Sequence, residues 1–176
     1  MRGYFGIGVE GLSKPGNAGN LFRTAHAFGA SFVFTLAATY SVRQARSDTS
    51  VAPRSIPWYD YEDVEDFSLP RGCRLVGVEL LDEAVDLPRF CHPLNAAYIL
   101  GPERSSLSAE ITARCDHIIR IPTRFCLNVA TAGAVIMYDR LIALGKFGER
   151  ATSVMNKTLP PRPEHVHGGP KIRKKD

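Results

Sequence analysis

Short unbroken apolar runs alternate along the chain with longer stretches in which apolar residues recur at helical spacing. Tyr4–Glu10 is the first run and predicts a buried strand that ends in the turn-rich segment 11–16. In Asn17–Gly29, Leu21, Ala25 and Phe28 fall on one helical face, and Gly29 is a fitting stop just past the end. Ser31–Ala37 follows at once as a second apolar strand. A strand, a helix and a strand in that order predict a parallel sheet. Further strands are predicted over Arg74–Leu80, Ala96–Leu100 and His117–Ile121, and a helix over Ala109–Cys115. A long helix follows Asn128, where Val129, Ala132, Val135, Ile136 and Met137 give it a wide buried face. Asn128 itself is either the N-cap of that helix or a functional polar group. Residues 39–58 read as an irregular excursion with Pro53 and Pro57, and Asp60–Asp66 as an acidic surface helix or turn. The fold class that follows is α/β, a mostly parallel sheet flanked by helices.

Charge changes this picture at one end only. Seven Lys/Arg between 148 and 176 face Glu149, Glu164 and Asp176, so this stretch carries the whole formal excess of +4 and the body is neutral. The same stretch holds Pro160, Pro161, Pro163, Gly168, Gly169 and Pro170, which predicts a disordered basic tail at 148–176 after one domain over 1–147. At 176 residues and 44% hydrophobic, the chain is long enough to bury a core without disulfides or metal. Cys73, Cys91, Cys115 and Cys126 are scattered without a close pair, as expected of reduced thiols in a cytoplasmic protein. No apolar run approaches the length of a membrane span.

The candidate chemistry lies in three polar, glycine-containing or proline-marked strand exits, at 11–20, 101–108 and 122–128. In open α/β sheets ligands bind at the carboxyl ends of strands, so these exits predict one shared site. None is a nucleotide fingerprint: there is no Gly-x-Gly-x-x-Gly after a strand and no loop ending in Gly-Lys-Ser/Thr. Arg43, Arg46 and Arg54, beside Trp58 and Tyr59, make the excursion either a contact for a nucleic-acid backbone or a solvated loop.

Taken together, Asn17-x-Gly-Asn-x-x-Arg23-Thr-Ala, Leu100-Gly-Pro-Glu103-x-x-x-Leu-Ser and Ile121-Pro…Leu127-Asn-Val resemble, in order and rough spacing, the three motifs of the SpoU/TrmH family of SPOUT RNA methyltransferases. The resemblance spans about residues 4–145. It implies a C-terminal trefoil knot, S-adenosylmethionine bound in the knotted loops, and a homodimer whose active site draws on both subunits. It also implies 2′-O-ribose methylation of RNA, with tRNA favoured over rRNA; methylation of a base, or an RNA-binding protein on the same fold that has lost its chemistry, are the alternatives.

By the same resemblance Arg23 is the central catalytic residue, with Asn17, Glu103 and Asn128 beside it, and Val78, Gly101, Ile121 and Leu127 hold the cofactor. A guanidinium is a poor proton acceptor, so Arg23 either accepts the ribose proton in an unusual setting or positions phosphate and hydroxyl for attack. Asn17 either serves the site or caps the helix that follows. Cys126 stands where the family usually has Ser, Ser106 where it commonly has Gly, and the loop Pro122–Cys126 is shorter than usual. For the tail, deletion of residues 150–176 is expected to weaken RNA binding and flatten its salt dependence while leaving cofactor affinity unchanged, as read from binding isotherms at several salt concentrations.

Overall fold

The computed structural model describes residues 3–38, 56–102 and 105–145. Within them lies one sheet of seven strands: β1 (Phe5–Glu10), β2 (Phe32–Leu36), β3 (Trp58–Tyr61), β4 (Arg74–Val78), β5 (Val85–Asp86), β6 (Ala96–Leu100) and β7 (His117–Arg120). Their spatial order is β3-β2-β1-β6-β4-β7-β5, and every pairing is parallel. The helices are α1 (Pro15–Phe28), α2 (Ala109–Arg114) and α3 (Val129–Ala143). A parallel sheet must be covered on both faces, which is why the central strands β1 and β6 are buried at every residue.

On one face Phe5, Ile7 and Val9 of β1 and Tyr98 and Leu100 of β6 meet Leu21, Phe22 and Ala25 of α1 and Ile136 and Met137 of α3. On the other, Phe32 and Phe34 of β2 and Ala97 and Ile99 of β6 pack with Phe67, Leu107 and Ile111. The glycines of β1 belong to this second face. A Cβ at Gly6 would fall 2.3 Å from the Phe32 ring, and one at Gly8 would fall 2.4 Å from Phe34. Their absent side chains let the β2 rings lie across β1.

Proline at the start of α1 costs no hydrogen bond, since a first-turn N–H has no partner within the helix. Gly29 closes the helix at φ 74°, its N–H reaching the Ala25 and His26 carbonyls. Helices α1 and α3 pack side by side, and Gly133 allows the contact: a Cβ there would lie 2.3 Å from Leu21 Cδ1.

Several expectations are corrected. Trp58–Tyr61 is an edge strand, so Asp60–Asp66 does not begin as a helix or turn and the excursion ends before Trp58. Pairing of the Trp58–Tyr61 backbone with β2 outweighs the polar composition. The two-residue β5 has no apolar signature at all. Val135 is 36% exposed, on the outer side of α3 with Tyr138, so the buried stripe is narrower than the composition of the helix implies. Helix α1 begins two residues before Asn17, with Lys14 at the N-cap, so Asn17 does not cap it.

At the amino ends of the strands a buried polar chain fastens α3. The Arg140 side chain, 2% exposed, donates to the carbonyls of Pro93 (2.6 Å), Leu94 (2.7 Å) and Tyr4 (3.3 Å) and to the Tyr98 hydroxyl (3.1 Å). His92 Nδ1 lies 2.6 Å from that hydroxyl and Nε2 lies 3.0 Å from Asp139 Oδ2. Since a carboxylate only accepts, Nε2 carries the proton and Tyr98 donates to Nδ1. Burial pushes the Tyr98 phenol up to about 12 against the opposing pull of Arg140, so the hydroxyl keeps its proton for this bond. Burial also pulls His92 below the ordinary imidazole value, and it outweighs the Asp139 carboxylate, which acts in the opposite direction.

Arg140→Ala leaves three carbonyls and a phenol without their donor and is expected to cost about 3 kcal/mol of stability in urea denaturation. The lowered imidazole makes a separate prediction. The unfolded chain takes up a proton near 6.5 that folded His92 resists, so stability falls as pH drops below that value. A series of melting temperatures from pH 8 to 5 is expected to show this decline, and to show it flattened in His92→Gln.

Candidate functional site

A cavity of about 570 Å³ opens at the carboxyl ends of β4, β6 and β7 and is closed by the first turns of α1 and α3. Strand β4 contributes Val78 and, beyond its end, Glu79 and Leu80. β6 contributes Leu100 and the following Gly101, Pro102, Ser105 and Ser106. The end of β7 and the segment after it supply Arg120, Ile121, Thr123, Cys126 and Leu127. The helices add Lys14, Asn17, Asn128, Val129 and Ala132. The floor is apolar and the rim polar, the usual make-up of a small-molecule site.

Local chemistry explains how each wall is held. Asn128 Oδ1 accepts from the Ala130 and Thr131 N–H groups, so it is an N-cap, and its Nδ2 donates to Asn17 Oδ1 at 3.0 Å. The two readings of Asn128 are therefore compatible: one amide both starts α3 and ties it to α1. Arg120 Nε donates to Asp86 Oδ1 at 2.7 Å, and its guanidinium also reaches the Leu81 carbonyl. Asp86 raises the Arg120 pKa above its ordinary value, and the pair joins β7 to β5, while the Leu81 bond ties β7 to the connection between β4 and β5. Thr123 Oγ1 donates to the Phe125 carbonyl at 2.8 Å, which closes the segment after β7 into a tight turn and leaves Phe125 and Cys126 exposed at the mouth.

Of the residues singled out from the sequence, Val78, Gly101, Ile121, Leu127, Asn17 and Asn128 all line this cavity. Arg23 does not; it is exposed further along α1. Glu103, Arg43, Arg46 and Arg54 lie outside the described residues, as does the tail from 146 onward. Lys14, Glu79 and Arg120 were missed. Glu79 and Arg120 carried a signal, since each is a charged residue set within an otherwise apolar run, Val78-Glu79-Leu80 and Ile119-Arg120-Ile121. Among the described residues no group of three or more His, Cys, Asp or Glu could hold a metal, and no helix is long and apolar enough to cross a membrane.

The tRNA (guanosine(18)-2'-O)-methyltransferase of Escherichia coli K12 is 27% identical over 140 residues, covering 74% of this chain and 60% of that protein. The chain thus spans about 60% of the length of that curated relative. The fold matches that of the SpoU methyltransferase AviRb from Streptomyces viridochromogenes in complex with AdoMet, with a TM-score of 0.75, 23% identity, and 85% of this chain and 60% of that one covered. It also matches a chain solved for the 2-OH methylation of C/U34 on tRNA, with a TM-score of 0.69, 24% identity, and 82% and 92% covered. The model of the SpoU rRNA Methylase family aligns to residues 5–138, from the first residue of β1 well into α3, and the chain belongs to that family.

Proposed function

We propose that the chain is an S-adenosylmethionine-dependent RNA methyltransferase that transfers the methyl group to a ribose 2′-hydroxyl, most readily of a tRNA, and that it works as a homodimer. The observation that carries this reading is the meeting, in one cavity, of residues from three motifs that lie up to 111 positions apart in sequence. The relative named for 2′-O-methylation of tRNA guanosine 18 and the fold match to a chain solved for methylation of tRNA position 34 favour tRNA.

The walls suit the cofactor. Val78, Leu100, Ile121 and Leu127 offer an apolar slot for a purine, and Gly101 lets the backbone come close where a Cβ would lie 2.9 Å from Glu79 Oε2. When bound, S-adenosylmethionine supplies an electrophilic methyl on a sulfonium. The chain's own part is to orient the adenosine, exclude water from the apolar floor and hold the ribose in line. Asn17 and Asn128, locked to each other at the rim, present amide groups to an incoming nucleotide. The exposure of Arg23 outside this chain's cavity supports a role toward the partner subunit's cofactor, and Val135 with Tyr138 on the outer side of α3 supports a dimer contact there. The position of β7 between β4 and β5, beneath their connection, supports the knot that the family resemblance implies. Catalytic assistance by Glu103 and contact with the RNA backbone by Arg43, Arg46 and Arg54 are part of the same proposal and rest on the sequence alone.

Transfer of tritium from labelled cofactor to bulk tRNA tests the reading, followed by nucleoside mass spectrometry to tell ribose from base methylation. Wild type is expected to label a 2′-O-methylnucleoside, and Arg23→Ala to lose at least about a hundredfold in rate. Light scattering on the same preparation is expected to give twice the chain mass. Equal counts from Arg23→Ala would remove that residue from catalysis. Cofactor binding without transfer to any RNA would favour a non-catalytic RNA-binding protein.

A further inference from the structure

Two strands of the sheet end in the same four-residue pattern, Ile7-Gly-Val-Glu10 on β1 and Val76-Gly-Val-Glu79 on β4. They are the two neighbours of β6, and they lie in equivalent register on either side of it: Gly8 and Gly77 both face Ile99, and Val9 and Val78 both face Leu100. One step further along, a carboxylate flanks the end of β6 on each side.

Both carboxylates are used on the loop that β6 runs into. Glu79 Oε2 accepts from the Leu107 N–H and Glu10 Oε2 from the Ser108 N–H, each at 2.9 Å, so consecutive amides are gripped from opposite sides. The other oxygen of Glu79 accepts from the Leu80 N–H at 2.9 Å, which fixes the carboxylate on its own strand. Ser108 in turn caps α2 by accepting from the Ile111 N–H. The glycines of the repeated pattern make room on the second face: a Cβ at Gly77 would come within 3.2 Å of Leu107 Cδ1, so the buried Leu107 side chain seats where Gly77 has none. Gly101 completes the fit, since a Cβ there would crowd both Glu79 Oε2 (2.9 Å) and the Leu107 nitrogen (3.1 Å).

We infer that Glu10 and Glu79 are paired positioning residues that hold the loop after β6 as a wall of the cavity and thereby set its affinity for the cofactor. The inference rests on the reading of the cavity as an S-adenosylmethionine site. Gly101, Pro102, Ser105 and Ser106 all belong to that loop and to the cavity wall. Hydrogen bonds from backbone amides to a carboxylate are among the stronger ones, and an amide that loses such a partner away from water is penalised. A glutamine at position 79 keeps the volume but must turn its NH₂ group toward one of the two N–H donors, so it cannot satisfy both.

The test uses the full chain and titrates S-adenosylmethionine by calorimetry into wild type, Glu79→Gln, Glu10→Ala, which removes the acceptor of the Ser108 N–H, and Gly101→Ala. Each variant is expected to weaken binding about tenfold. Ligand-induced thermal stabilisation is expected to be lost more than stability of the free protein, and in RNA methylation KM for the cofactor to rise by more than kcat falls. Glu79→Gln combined with Gly101→Ala is expected to be less than additive, because both act on the Glu79–Leu107 contact. Variants that bind like wild type would overturn the clamp, and so would a uniform loss of folded protein with unchanged affinity in what remains. Failure of wild type to bind S-adenosylmethionine would instead bring down the cofactor reading. Gly101→Ala, which removes no polar group, keeps the inference testable should a carboxylate variant not fold.

Discussion

Helix α3 is held at both of its ends by polar groups from elements far earlier in the chain, and much of the fold depends on that double attachment. At its start Asn128 spends one amide oxygen on the helix's own N–H groups and its nitrogen on Asn17. Near its end Arg140 fills a buried ring of carbonyls before β1 and β6, and Asp139 holds His92. Between these points Ile136 and Met137 are buried in the first core and Gly133 sits against Leu21. A helix seated only by apolar contacts can slide or rotate with little penalty. Polar contacts at each end fix its register, because a shift by one residue would leave a buried guanidinium and a helix start unsatisfied.

That register matters to the cavity, since the first turn of α3 is one of its walls. The other walls come from β6, β4 and β7, which are neighbours in the sheet in that order although β4 precedes both of the others along the chain. Strand β7 lies between β4 and β5, and its end is pinned by Arg120 to Asp86 of β5 and to the Leu81 carbonyl of the connection between β4 and β5. The cavity is therefore a product of topology: its residues meet only when the last strand has taken its place. The same dependence explains why the structure brings together six of the singled-out positions while the polar pairs that position them had no local mark.

What the sequence discloses follows from how each element is stabilised. β1, β2, β4 and β6 are apolar on both faces and stand out as unbroken runs, and the three polar exits stand out because Gly, Pro and Asn interrupt those runs. β3 is half exposed and pairs on one side only with β2, so its Trp-Tyr-Asp-Tyr sequence resembles a loop. β5 is two residues long and exists because β7 offers it partners. The Asn17–Asn128 bond joins residues 111 apart, and no periodicity foretells it. Val135 was misplaced for the opposite reason: α3 is apolar nearly all round, so composition alone cannot say which side faces the core.

Stability and function occupy opposite ends of one sheet. The carbonyls around Arg140 and the His92–Tyr98 pair lie at the amino ends of the strands, where buried donors and acceptors are matched. The carboxyl ends carry polar groups that border the cavity, and some of them also serve the fold: Glu79 and Asn128 each satisfy backbone N–H groups while lining it. Such residues serve two demands at once, and a change in either is felt through the wall it holds before any contact with a ligand is lost. Cys126 is different. It is exposed, it lines the cavity, and its neighbours are fixed by the turn that Thr123 closes, so a change there alters what the mouth presents without loosening a wall. The two kinds of position separate the shape of the cavity from what its mouth presents, and Cys126 belongs to the second kind.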